Sequence, residues 1–220
     1  MKRKLILISI FFFIFSCLAE SQEKTEDLQF KSQEEYEVWN EGINYFLRYL
    51  KELENKQEQE NKSEVRLELS GIYEETINKD LIQGFFGIAF EPYSLKSYIF
   101  SKVSPEIEEN TIVDFINKNQ ISYKLDGNLN YKLISTGELE NIYKETEKIL
   151  KAMESKQIDN FYPHLLLQFS RVGFNQNRMQ ALVCIEWYPV PPLSAEAIIL
   201  LLKKDKGKWS VAATYSENKT

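Results

Sequence analysis

The chain has 220 residues, with 33 acidic against 27 basic side chains, one histidine and two cysteines. A single histidine leaves no His-rich metal centre. The acidic balance argues against nucleic acid, whose affinity comes largely from Lys and Arg on phosphates. Two cysteines cannot build a disulfide framework, and the length suits one domain with a sizeable core.

Lys2-Arg3-Lys4 gives a cationic start, Leu5 to Phe15 is apolar apart from Ser9, and Ser16-Cys17 closes the run. This order of charge, apolar side chains and small residues is that of a secretory signal. Ile14-Phe15-Ser16-Cys17 is similar to the lipobox of bacterial lipoproteins, with Phe15 bulkier than its usual occupant. The resemblance implies a signal peptide over residues 1–16 and an acylated Cys17 that becomes the first residue of the mature protein. Leu18 stands where some lipoproteins carry the Asp that retains them on the inner membrane. The implied location is a membrane of the cell envelope, the outer membrane or the periplasmic face if the source is Gram-negative. Each buried methylene of an acyl chain contributes about 0.8 kcal/mol, so palmitate and its companions would hold the protein where one chain would not. The alternatives are cleavage at Cys17-Leu18-Ala19 or Ala19-Glu20-Ser21, which releases a soluble secreted protein, and an uncleaved anchor. The anchor is short, since a bilayer needs about 20 apolar residues. Removing residues 1–16 takes Lys2, Arg3 and Lys4 and leaves 24 basic against 33 acidic side chains, a formal charge of −9.

Residues 17–31 read as a flexible acidic tether and residues 32–220 as a single α+β domain. Ser32-Gln33-Glu34-Glu35 has the form of a capping box. Tyr36, Trp39, Ile43, Phe46, Leu47, Leu50 and Leu53 follow at helical spacing. Val65, Leu67 and Leu69 alternate with polar residues as in a strand ending near Gly71. Residues 80–100 carry apolar side chains without a period, broken by Gly84, Gly87 and Pro92. Ser104-Pro105 predicts a helix to about Asn117, with Ile107, Val113 and Ile116 inward and Glu106, Glu108 and Glu109 favouring its start. Tyr131 to Ile134 reads as a short strand. Ser135-Thr136-Gly137-Glu138 reads as a second capping box, before a helix bearing Leu139, Ile142, Tyr143, Ile149, Leu150 and Met153 on one side. His164–Phe174, Met179–Tyr188, Ala197–Lys203 and Lys208–Tyr215 read as four strands of an antiparallel meander. The expected architecture is α+β, N-terminal helices packed on one face of a mainly C-terminal β-meander.

Phe169-Ser170-Arg171-Val172-Gly173-Phe174-Asn175, Gln180-Ala181-Leu182-Val183 and Gly207-Lys208-Trp209, with Asp114-Phe115 ahead of them, resemble a C-terminal module of uncharacterised exported bacterial proteins. The resemblance spans roughly residues 100–215 and implies no activity. Physically, Gly173 suits a bend or bulge, Asn175 a turn with an unusual backbone angle, and Trp209 a core anchor. Arg171 is the one residue a hairpin does not demand; it suits a structural ion pair across the sheet or an interaction site.

No catalytic constellation is visible. His164 stands about 20 Å along the strand from Ser170 and about 10 Å or more from Cys184, which a turn at Asn175–Asn177 would put opposite residue 167 or 168. His164 reads as a surface residue and Cys184 as a small buried apolar residue in a strand, with a reactive thiol as the alternative. Asp126-Gly127-Asn128-Leu129-Asn130 begins like a calcium loop but has Tyr131 where the turn glycine belongs, so a plain turn is the better account. No metal or cofactor is expected. The sequence therefore points to a lipid-anchored cell-envelope domain that binds or scaffolds, held to the membrane through Cys17 and available to an envelope protein partner. The alternative is an envelope hydrolase using a carboxylate pair too distant in sequence to be recognised.

Overall fold

The computed structural model describes residues 33–52, 55, 68–87, 89–104, 106–125, 129–154, 164–190 and 196–216. Residues 33–36 are the opening turn of a helix, α1, which runs over residues 33–52, and Glu37–Thr220 forms one compact unit. The elements that follow are β1 (Glu68–Tyr73), α2 (Lys79–Phe86), α3 (Pro92–Lys102), α4 (Glu109–Lys118), β2 (Leu133–Ile134) and α5 (Thr136–Glu154). They are completed by β3 (His164–Phe169), β4 (Gly173–Phe174), β5 (Gln180–Val190), β6 (Glu196–Asp205) and β7 (Lys208–Ser216). The signal, the tether, Ser32, Leu53, Val65, Leu67 and Asp126–Asn128 lie outside the described residues.

The fold is α+β: helices ahead of a mainly C-terminal, mostly antiparallel sheet in the order β2-β1-β3-β5-β6-β7, with β4 also on β5. The expected meander is present as β3-β5-β6-β7. β1 adds to it in parallel, on β3 and on β2, which makes the sheet mixed.

The expected single covered face is filled by α2, α3, α4 and α5, and the structure adds a second. Leu182, Cys184, Ile199 and Leu201 share a core with Ile82, Phe86, Leu95, Ile99, Ile112 and Phe115 of α2 to α4. Leu166 and Tyr188 of the same face pack against Leu139, Ile142 and Tyr143 of α5. α1 lies on the opposite face. Trp39, Ile43, Phe46 and Leu50 are buried, Phe46 stands 5.1 Å from the Trp187 ring, and Gly42 faces Ile185, Leu200 and Phe169. A Cβ on Gly42 would come within 3.0 Å of the Ile185 side chain, so the missing side chain lets the helix lie close. Each large apolar side chain buried this way contributes about 1.5–3 kcal/mol. Two covered faces explain the unbroken run Ala197-Ile198-Ile199-Leu200-Leu201-Leu202 in β6, because neither side of that strand meets water.

Residues 80–100 fold as two helices. The Asn78 side chain caps α2, accepting from the Asp80 and Leu81 amides. Gly87, at φ 62°, ends it in the left-handed conformation. Pro92 opens α3. α4 begins at Glu109, four residues beyond the expected proline start. Ser104 caps only a turn, through the Glu106 amide, while Gln180 of β5 holds the Glu106 carbonyl and the Glu108 amide. These tertiary bonds hold the segment ahead of α4, with Glu108 extended, out of the helix.

The second capping box forms as expected. The Ser135 hydroxyl accepts from the Glu138 amide, and the Glu138 carboxylate accepts from the Ser135 amide at 3.0 Å. Those bonds, with Lys132 alongside, hold Glu138 down to about 2. Ser135→Ala is expected to cost about 1 kcal/mol, read by urea unfolding; an unchanged midpoint would show that the cap does not matter to α5.

Candidate functional site

The strand predicted as one run, His164–Phe174, breaks after Phe169. Ser170 continues the contact with β5, its amide donating to the Cys184 carbonyl at 2.9 Å, so Cys184 faces Ser170 rather than residue 167 or 168. The slip arises because the turn is closed between Asn175 and Gln180, with Arg178 at positive φ, and is therefore longer and later than a turn at Asn175–Asn177. Its effect is to move Cys184 further along the ladder from His164, which pairs with Glu68 and Val190. The His164 side chain lies outside the described residues. Cys184 is fully buried, and burial pushes its thiol well above the ordinary range.

α4 supports the residues of the Phe169–Asn175 segment and the strand that follows it. Asn119 accepts from the Arg171 amide at 2.7 Å and donates to the Arg171 carbonyl at 3.0 Å. Asp114 accepts from the Phe174 amide at 2.7 Å and from Lys118, which also donates to the Val172 carbonyl. Gln180 accepts from Thr111, and Asn175 donates to Glu108. Gly173 is required for close approach to α4, and the bend expected of it lies at Ser170–Val172. Asn175 works through its side chain, which accepts from the Met179 and Gln180 amides, while the left-handed position is Arg178. Trp209 is buried beside Phe174, as expected of an anchor. The buried Arg171 guanidinium lies 4.8 Å from the centre of the Tyr123 ring, a cation–π contact. The motif thus joins α4 to the hairpin, and its polar groups are engaged with one another.

A different cluster carries the unengaged chemistry. Glu186 stands in β5 opposite Gln168 of β3 and Ala197 of β6, on the face that α2 to α5 cover. It is 7% exposed, and its Oε2 has no hydrogen-bond partner among the described residues. The side-chain amide of Gln168, its neighbour across the strands, donates to the Glu75 carbonyl at 3.0 Å. Burial alone raises the carboxyl, up to about 7, and no second carboxylate contributes. Two phenols feel its charge. Burial raises Tyr143 of α5 and Tyr188 of β5, a charge on Glu186 raises both further, and Tyr73 of β1 couples to these two tyrosines. The Tyr73 hydroxyl meets the Thr136 hydroxyl at 3.1 Å, at the first residue of α5. Glu186 and Gln168 therefore form a polar seam between the apolar cluster under α2 to α4 and the one under α5. The sequence signal was a single acid inside the apolar run Ala181–Tyr188, where alternation alone would place polar residues and draw no notice.

Among the described residues no group of three His, Cys, Asp or Glu could hold a metal ion, and no helix is long and apolar enough to cross a membrane. No protein-family model, curated protein or solved structure matches the chain.

Proposed function

We propose that the protein is a lipid-anchored domain of the cell envelope, tethered through Cys17, that acts by binding or scaffolding a partner in the envelope. The observation that carries this reading is the run of basic, apolar and small residues ending in Ile14-Phe15-Ser16-Cys17. The described domain supports it in kind. Its motif residues are spent on joining α4 to the hairpin, and the acids of its ion pairs sit beside lysines: Glu109 with Lys96, Asp114 with Lys118 and Glu74 with Lys124. The carboxylate-pair hydrolase needs a second acid coupled to the first. Among the described residues the acid raised to near neutrality, Glu186, is raised by burial instead.

The test is metabolic labelling of the producing cells with an alkyne palmitate. The wild-type chain is expected to be labelled and to sediment with the membrane; Cys17→Ala is expected to be unlabelled and released. Equal labelling of both, or none in either, overturns the anchor. The binding role is tested by cross-linking on intact cells followed by recovery of the wild-type chain. A defined envelope partner is expected, and its absence counts against scaffolding.

A further inference from the structure

We infer that Glu186 makes the docking of α5 on the sheet dependent on pH, closed while its carboxyl is neutral and loosened when the carboxyl ionises. The geometry supplies each part. The carboxyl is buried at the seam where the α5 cluster meets the α2–α4 cluster, and its Oε2 lacks a partner among the described residues. α5 closes over this region through Leu139, Ile142 and Tyr143, against Leu166 and Tyr188. A neutral carboxyl can stay there as a small polar group. A carboxylate is held there only at a cost, because a buried charge is far more costly than a buried neutral group and Oε2 has no donor among the described residues.

The groups that face Glu186 offer no relief. From α5 it meets Tyr143, and from β5 Tyr188 and the Cys184 thiol, whose anionic forms burial disfavours first and a charge on Glu186 disfavours further. From β3 it meets the neutral Gln168, and from β6 the methyl of Ala197. Lifting α5 lets water reach the carboxylate and relieves that cost. Burial raises the proton affinity of Glu186, which places the transition near neutrality rather than at the ordinary glutamate value. The capping box of α5 and the Tyr73–Thr136 contact tie down its first turn, so loosening would begin beyond that turn.

Native-state hydrogen exchange on the full chain tests this, with rates corrected for the intrinsic pH dependence of exchange. The opening equilibrium of the α5 amides is expected to rise about fortyfold between about pH 5 and about pH 7 and to level off by about pH 8, following linkage to one proton. The β6 amides are expected to remain closed, and Glu186→Gln is expected to abolish the rise. An equal rise in Glu186→Gln, no rise in the wild type, or a parallel rise in β6 overturns the inference. If Glu186→Gln does not fold, the wild type decides. The carbon resonance of the Glu186 carboxyl and the α5 opening must share one midpoint, and separate midpoints overturn the gate.

Discussion

Replacing Glu186 by glutamine is expected to remove most of the pH dependence of stability between about pH 5 and about pH 8. The unfolded chain releases this proton near 4.5, and the folded chain holds it to about 7. Below 4.5 both states are protonated and folding loses nothing. Between the two values the folded state carries the extra proton, so stability falls as pH rises. The slope is about 1.4 kcal/mol per pH unit, and the loss reaches about 3 kcal/mol above pH 7. Glutamine keeps the shape and cannot ionise. Urea unfolding of both proteins at the two pH values should therefore show the glutamine variant gaining about 3 kcal/mol relative to wild type at the higher pH. Parallel curves would mean that Glu186 is solvated in the folded state. The global measurement reads the cost of the charge; exchange at α5 reads where that cost is relieved.

Gly173→Ala is expected to be among the most damaging single-methyl changes. A Cβ at this position would stand 2.5 Å from the Phe115 nitrogen and 2.6 Å from its Cα. Those atoms belong to the backbone of α4 and cannot turn aside as a side chain would. The helix would have to move, and with it the Asp114 bond to the Phe174 amide and the Asn119 bonds to Arg171. A loss of about 3 kcal/mol is expected, at the upper end for overpacking. Gly84→Ala is the matched control. It lies inside α2 with nothing within 4 Å of the added methyl, and it should stabilise by about 0.5–1 kcal/mol. Thermal unfolding of the two variants separates the explanations. Similar shifts in both would show that α4 does not constrain residue 173.

Much of the secondary structure was legible because it is local. The spacing of Trp39, Ile43, Phe46 and Leu50 encodes one buried helix face, and Ser135 and Glu138 encode a cap whose bonds span three residues. Helices α2 and α3 were hidden because Gly84 and the clustered phenylalanines blur a periodicity that only eight and eleven residues display. The candidate site was not legible. Glu186 acquires its character from burial beneath α5, and that burial depends on residues from β1, β3 and α5 that are far apart in the chain.

Neighbouring residues alone carry the α+β class, the first helix, the second capping box and the expectation of a lipid anchor at Cys17. Tertiary structure decided that β1 joins the sheet in parallel and that α1 covers a second face. It also decided that the Phe169–Asn175 segment fastens α4 to a hairpin, and that Glu186 holds its proton to near neutrality. The physical reason is common to all of these. Helical spacing and capping are set by bonds within a few residues, whereas strand pairing, close approach and desolvation are set by which distant surfaces exclude water together.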